Sequence, residues 1–311
     1  MTRGHGDTET RGQGQLRIAE RQVQKAEYGM RNKIINIIII ILISSFSGTA
    51  SFAVEPSIVI APKTIVPGGL MVVTVKKTAG PVEGSFNGKH LYFNPAKKAY
   101  QAVVGIDLNA DPGTYPLALT VDGRSIKRDV VIARKKYPVQ KLTLPEDMVV
   151  LSPENEARTE REQRRMAAIW PFDSLRVWRG SFIDPLPGKA LGTPFGVRRI
   201  INNIPKNPHS GVDITADEGE PVRAPNDGVV ILVDDQFYSG NSVVLDHGQG
   251  IYTMFFHLSM FKVKYGQAVR KGDVIAFVGS TGRATGAHLH WGARVQGAKV
   301  DPLALIKLKL D

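Results

Sequence analysis

The chain has 311 residues, with 40 lysines and arginines against 29 acidic residues, a formal net charge of +11, and no cysteine. Without cysteine, the chain has neither a disulfide framework nor a thiol for lipid attachment, which excludes an outer-membrane lipoprotein. The positive charge indicates an anionic partner, and nucleic acid is the usual first candidate for a basic chain.

The amino-terminal region has the pattern of an export signal. Arg31 and Lys33 precede an apolar run over residues 34–43, and small residues follow it as far as Ala53. This pattern predicts a secretory signal that ends near Ala53. The alternative is an uncleaved anchor, since residues 34–53 reach the roughly 20 positions needed to span a bilayer. Serine, glycine and threonine in the second half favour cleavage.

Residues 1–28 are polar and would make an unusually long front region for such a signal. We therefore expect translation to start at Met30, with residues 1–53 forming an N-terminal extension and signal peptide. With or without cleavage, the remaining chain is expected in the periplasm or cell envelope, and its only membrane contact would be the signal or anchor. Export argues against nucleic acid as the partner.

Residues 54–135 are predicted to form a small immunoglobulin-like β-sandwich. Apolar, β-branched segments alternate there with turn sequences at regular intervals. The strand candidates are residues 57–60, 70–75, 99–106, 115–121 and 128–132, and the turns include Asn87-Gly88 and Asp122-Gly123. His90 stands alone beside one of these turns and is predicted to be a surface residue.

Residues 136–171 are predicted to be a linker containing Pro138 and Pro145, followed by a charged helix. Ser152 and Pro153 are typical of a helix start, and Arg158 with Glu162 forms one of several pairs at helical spacing. Two interpretations stay open. The helix is either a solvated connection or a cover that restrains access to the following domain.

In residues 172–311, short apolar runs separated by glycine turns predict an antiparallel β domain. Four of the seven histidines fall in three short segments there, namely His209, His257, and the pair His288 and His290. On a strand this last pair shares one face, although such pairs also occur on solvated strands. Imidazoles with a carboxylate suit zinc, and a catalytic zinc needs only three protein ligands. At least one imidazole is then free for acid-base work.

Asp213 is the carboxylate that follows His209 in the sequence. It follows His209 by four residues, which is about 13 Å on a straight strand and too far to share an ion. A bend at Gly211 would bring the two side chains together, because glycine permits unusual backbone angles.

These segments bring the sequence to a known family. Their order and spacing over residues 193–302 resemble the lysostaphin-type (LytM-like) zinc metallopeptidases, which cleave peptides in peptidoglycan. The motifs are His209-x-Gly211-x-Asp213, Phe256-His257-Leu258 and Gly279-Ser280-Thr281-Gly282-x-x-Thr285-Gly286-x-His288-Leu289-His290.

The resemblance implies that His209, Asp213 and His290 hold one zinc ion and that His257 and His288 are catalytic. Spacing alone does not divide His288 from His290, because other zinc enzymes use both members of such a pair. The resemblance also implies a duplicated-hybrid, barrel-sandwich-like peptidase fold for residues 172–311. Trp291 and Gly292 depart from the family pattern, which commonly has phenylalanine and an acidic residue at these positions.

The function implied is that of an exported zinc metalloendopeptidase that cuts stem-peptide or cross-link bonds of peptidoglycan, with D-alanyl–diaminopimelate as one target. One of His257 and His288 would take a proton from water, and the other would steady the oxyanion. The alternative is a non-catalytic wall-binding relative that activates a cell-wall amidase. Such relatives lose ligands or catalytic histidines, and all five positions are filled here. His247, at a strand end, is expected to have no part in the chemistry.

Overall fold

A computed structural model of the chain describes residues 55–143, 150–171, 173–308 and 310. The predicted signal, the start at Met30 and Pro145 lie outside these residues. No helix of the described part is long and apolar enough to cross a membrane. Residues 54–311 cluster as one compact unit. Strands predominate over helices, so the prediction of a mainly β protein is confirmed.

Eight strands form two four-stranded antiparallel sheets at the start of the described chain. The first sheet has the order β1-β2-β6-β5 and the second β4-β3-β7-β8. The strands are β1 Ser57–Ala61, β2 Leu70–Lys76, β3 Val82–Phe86, β4 Lys89–His90, β5 Asn94–Ala96, β6 Ala99–Gly105, β7 Gly113–Val121 and β8 Arg124–Ile132. Counting β4 as an added edge strand, this is the strand order of immunoglobulin-like sandwiches. Membership of that family stays a prediction.

The two sheets share a core to which apolar residues of both sheets contribute. Val73 and Val104 from the first sheet pack with Leu117, Leu119 and Ile132 from the second. Turns tighten the hairpins where the sequence predicts them. Asp122 and Gly123 both have positive φ angles, 49° and 76°, as a type I′ turn requires.

Strand β9 (Val139–Leu142) and helix α1 (Pro153–Ile169) connect this part to the rest. Ser152 caps the helix by accepting a hydrogen bond from the amide of Asn155, and Pro153 occupies its first turn. One face of α1 and the residue after it are apolar. Met166, Ile169 and Trp170 pack against a cluster that contains Leu232, Val244 and Met254. The helix is therefore docked on the domain that follows, and its remaining faces are solvated.

The C-terminal part is built on a nine-stranded sheet with the main order β12-β19-β16-β15-β14-β17. Strand β18 pairs with β13 and β16, and β20 pairs with β19. Its strands are β12 Gly211–Thr215, β13 Pro221–Arg223, β14 Gly228–Gln236, β15 Gly240–Gly248, β16 Ile251–Phe261, β17 Ala268–Val269, β18 Val274–Val278, β19 His288–Val295 and β20 Ala298–Val300. Strands β10 (Arg198–Ile201) and β11 (Ile204–Pro205) pair beside β9, and α2 (Pro302–Lys307) ends the fold.

The sandwich and the C-terminal part also share a hydrophobic cluster. Leu70, Val72 and Val103 of the sandwich belong to it together with Val295 and Val300. The backbones approach closely at this junction. A Cβ at Gly105 would lie 2.6 Å from the carbonyl oxygen of Val295. The sandwich is thus packed onto the end of strand β19, the strand that carries His288 and His290.

Candidate metal centre

Strand pairing places two of the predicted ligands side by side. Asp213 on β12 lies opposite His290 on β19 in the antiparallel register. His209 precedes β12 and is fixed by its backbone, since its amide donates to Val197 O and its carbonyl accepts from the Gly196 amide. The main chain therefore determines where all three side chains begin.

The three ligand atoms form a nearly equilateral triangle. His209 Nε2 lies 3.0 Å from His290 Nδ1 and 3.0 Å from Asp213 Oδ1, and His290 Nδ1 lies 2.9 Å from Asp213 Oδ1. Ligand atoms about 2.0–2.1 Å from a tetrahedral zinc are about 3.3 Å from one another. The three distances here are only slightly shorter, so the triangle is close to one face of such a site. One described group of histidines and carboxylates has this geometry, and it is this one.

Hydrogen bonding leaves the His209 nitrogen ready to ligate. His209 Nδ1 donates to Pro194 O at 2.9 Å, so the neutral ring carries its lone pair on Nε2, which faces the other two ligand atoms. Two imidazole nitrogens and one carboxylate oxygen are a donor set suited to zinc. The residues present therefore fit the ion.

Electrostatics keep Asp213 ionised. Burial alone would raise the pKa of this carboxyl, but the imidazoles of His209 and His290, whose nitrogens lie 3.0 and 2.9 Å from Oδ1, hold it well below its usual range. Burial lowers the pKa of His290, which keeps this ring neutral at pH 7. A neutral imidazole and an ionised carboxylate are the forms that bind a metal.

Gly211 has a different role from the predicted one. The φ angle of Gly211 lies outside the left-handed region, and the residue simply starts β12. The unusual backbone angle expected at this glycine is absent, and His209 instead lies before the start of β12. The position instead lacks room for a side chain, because a Cβ would lie 2.6 Å from His290 Nε2 and 2.5 Å from Trp291 O. His290 rests on the bare backbone of Gly211.

His257 and His288 lie beside the ligand triangle. Their ring centroids are 4.7 Å apart, and His288 Nε2 is 3.9 Å from Asp213 Oδ1. His257 Nδ1 donates to Thr281 O and His288 Nδ1 donates to Gly286 O, each at 2.9 Å. Both rings therefore present Nε2 as the atom available for proton transfer. Burial lowers the pKa of His257 to about 4, so its ring is neutral at pH 7.

The backbone at His257 is irregular. Its φ angle is +62°, and the pairing of β16 with β15 and β18 shifts register on either side of it. A non-glycine residue in this conformation costs of order 1 kcal/mol, and such strain and β-bulges concentrate at functional sites. The bulge interrupts the regular alternation of side chains between the two faces of β16, and the His257 ring lies beside His288.

The structure therefore brings all five predicted site residues together. His247 stays apart from them. It is fully buried, donates from Nδ1 to Asp227 O and accepts at Nε2 from Thr253 Oγ1. Phe256, for which the sequence predicts no role, lies next to the site, and its ring stacks on that of His290 at a centroid distance of 5.3 Å with 5° between the planes.

The family model described as Peptidase family M23 matches residues 207–302. A putative peptidase M23 from Pseudomonas aeruginosa, known as a crystal structure, is 34% identical with a TM-score of 0.63 over 78% of this chain and 94% of that chain.

Two curated relatives match a shorter part of the chain. The DD-carboxypeptidase/endopeptidase Mpg of Neisseria meningitidis serogroup B is 42% identical over 128 residues, 41% of this chain and 30% of the relative. The peptidoglycan DD-endopeptidase ShyA of Vibrio cholerae serotype O1 is 43% identical over 96 residues, 31% of this chain and 22% of the relative. The chain thus spans less than a third of the length of either relative.

Proposed function

The chain belongs to peptidase family M23, and on that premise we propose that it is a zinc metalloendopeptidase of the cell envelope that hydrolyses peptide bonds in peptidoglycan. One observation carries the proposal. The ligand atoms His209 Nε2, Asp213 Oδ1 and His290 Nδ1 converge to mutual distances of about 3 Å. Two further imidazoles stand next to these atoms.

The ligand set would hold one zinc ion through His209 Nε2, Asp213 Oδ1 and His290 Nδ1. When bound, the ion supplies Lewis-acid polarisation of a carbonyl oxygen and a nucleophilic water near neutral pH. Phe256 and the backbone of Gly211 enclose the His290 ring from two sides and limit its rotation. The Pro194 carbonyl orients His209 in the same way.

His257 is assigned as the general base. Its neutral ring directs an Nε2 lone pair outward because Thr281 O fixes the proton on Nδ1. His288 is assigned to the oxyanion and the leaving amine. Its Nε2–H would donate a hydrogen bond to developing negative charge, and the proton that His257 takes from water would pass by way of His288 to the leaving amine. The ring separation of 4.7 Å allows both to act on one scissile peptide.

The substrate proposal rests on charge and on the relatives. A chain with a net charge of +11 is attracted to an anionic polymer such as the bacterial wall. Relatives named DD-endopeptidase and DD-carboxypeptidase support a bond that follows D-alanine, and we propose the D-alanyl–diaminopimelate cross-link. Export through residues 30–53 would bring the enzyme to this substrate.

Purified protein incubated with isolated sacculi tests the proposal. Zinc-loaded protein should release muropeptides, and chelator or the substitution His290→Ala should abolish release. His90→Ala is the matched control, because this histidine is exposed and belongs to the sandwich. Mass spectrometry of the products identifies the bond that is cut. Release that survives both chelator and His290→Ala would contradict the metal mechanism, and failure of every preparation to release muropeptides would favour a non-catalytic role.

Export is tested separately. Mass spectrometry of the precursor and of the mature protein in fractionated cells should give a start at Met30 and a mature terminus near residue 54. Peptides from residues 12–25 in cells would contradict the start at Met30, and an intact signal in the membrane fraction would favour the anchor.

A further inference from the structure

A cavity of about 380 Å³ lies between helix α1 and the main sheet, beside the candidate metal centre. Ser210, the neighbour of His209, lines one end of it, and so does Phe256, which stacks on His290. Met166 and Trp170 at the end of α1 line the opposite wall. The helix therefore bounds one side of a space that adjoins the site.

Strand β19 carries the histidines of the metal centre at its start and lines this cavity further along, through Ala293 and Arg294. Alternation places His288, His290, Gly292 and Arg294 on one face of the strand. The Cα atoms of His290 and Arg294 are about 13 Å apart, which is the length of about four residues of an extended peptide. Gly292 lies between them, and the Met254 side chain packs over it, since a Cβ there would lie 2.9 Å from Met254 Cε.

Two cationic side chains line the far end of the cavity. Arg294 and Lys299 are cross-strand partners on β19 and β20. The Arg294 guanidinium lies 4.5 Å from the centre of the Trp170 ring, and its Nη1 donates to Gly297 O at 2.9 Å. Stacking on an aromatic face leaves the edge of a guanidinium available for two parallel hydrogen bonds to a carboxylate.

The acidic groups nearby are already engaged. Glu162 lines the cavity, but its two oxygens accept from Arg158 Nε at 2.7 Å and from the Phe237 amide at 2.9 Å. Asp107 acts on Arg294 electrostatically, and its oxygens accept from the amides of Asn109 and Lys299. In the described part of the chain, no carboxylate oxygen forms a hydrogen bond or ion pair with the Arg294 guanidinium.

We propose that this cavity is a substrate subsite in which Arg294 and Lys299 bind a carboxylate of the peptide, with α1 closing that end of the groove. The inference rests on the proposed function and names the chemistry of the substrate on one side of the cleaved bond. A half-buried guanidinium gains more from an anionic partner than an exposed one does, because water competes less for it. The enzyme thereby selects peptides with a free carboxylate within a few residues of the metal.

Binding and kinetics with a matched pair of substrates test the subsite. The probes are a cross-linked muropeptide dimer with free diaminopimelate carboxylates and the same dimer with those carboxylates amidated. We expect the wild-type protein to bind the acid form about tenfold or more tightly, and to show the same preference in KM. Arg294→Gln should reduce this preference to about twofold or less, and Lys299→Gln should reduce it in part.

Arg176→Gln is the matched control. Arg176 also stacks on a tryptophan, Trp178, at 3.7 Å, but it lines a different cavity. This variant should keep the full preference for the acid form. Calorimetric binding to chelator-treated protein separates the two proposals, because it does not require turnover. An equal affinity of wild-type protein for both dimers, or an undiminished preference in a folded Arg294→Gln variant, would overturn the subsite even if peptidoglycan is cleaved. If the acid form is preferred in a way that depends on Arg294 but no dimer is hydrolysed, the subsite is supported and the peptidase activity is contradicted.

Discussion

Adding one methyl group beneath His290 should weaken metal binding. In Gly211→Ala the new Cβ would lie 2.6 Å from His290 Nε2, whereas ordinary contacts of this kind are 3.4–4 Å. The ring must then move by about 0.8 Å, because the Trp291 carbonyl on the other side is held in the β12–β19 ladder. Displacement of a site residue by more than about 0.5 Å removes it from a productive geometry.

We expect the zinc affinity of Gly211→Ala to fall by about 10- to 100-fold, as it does when the support of a ligand is lost. The free energy of unfolding of the zinc-free protein should fall by about 1–3 kcal/mol from overpacking. Competition with a chromophoric chelator measures the first quantity, and urea unfolding measures the second.

Gly286→Ala is the control for this substitution. Gly286 lies in the same motif as His288, and its Cβ would meet nothing within 4 Å. This variant should bind zinc as the wild type does. If Gly211→Ala folds and binds zinc within twofold of the wild type, the contact between Gly211 and His290 does not constrain the ligand, and the reasoning is wrong.

Three other predictions concern acid stability, catalysis and the helix. Burial lowers the pKa of His247 from 6.5 to about 4, so below pH 6.5 the unfolded chain takes up a proton that the folded chain refuses. The free energy of unfolding measured with urea should therefore fall between pH 7 and pH 4 by about 3 kcal/mol more in the wild type than in His247→Gln. Equal falls in the two proteins would contradict this prediction. His288→Ala should lower kcat by about 10²- to 10⁴-fold with zinc content unchanged, and loss of zinc would make His288 a ligand. Replacing residues 153–165 with a flexible linker of equal length, which keeps Met166 and Trp170, should raise turnover on sacculi, since α1 closes one end of the groove; unchanged turnover in a folded variant would remove the helix from that role.

Much of the fold could be predicted because local chemistry determines it. Asp122-Gly123 forms a tight turn, Ser152 caps α1, and alternating apolar residues form the long strands. The short strands β3 to β5 were missed. Strand β3 contains Gly84, where a Cβ would lie 2.6 Å from Leu119 Cδ2, so close packing replaces the side-chain alternation that marks a strand.

The residues of the site could be predicted from the sequence, but the contacts that orient them could not. The acceptors that orient His209 and His257 are the backbone carbonyls of Pro194 and Thr281, which any residue type can supply. The close contact between Gly211 and His290 depends on the approach of two strands. The sequence therefore contains the glycine of the motif but does not show that a side chain would have no room there. The cavity wall comes from α1, which is distant in sequence from β19, and only the folded chain brings Trp170 to Arg294.

A crystal of the zinc-loaded protein, with anomalous diffraction recorded at the zinc absorption edge, tests the central claim most directly. We expect one anomalous peak per chain, about 2.0–2.2 Å from each of His209 Nε2, Asp213 Oδ1 and His290 Nδ1, with His257 and His288 near the ion but not bound to it. A peak elsewhere, or a zinc ion ligated by His257 or His288 in place of one of those three, would contradict the account.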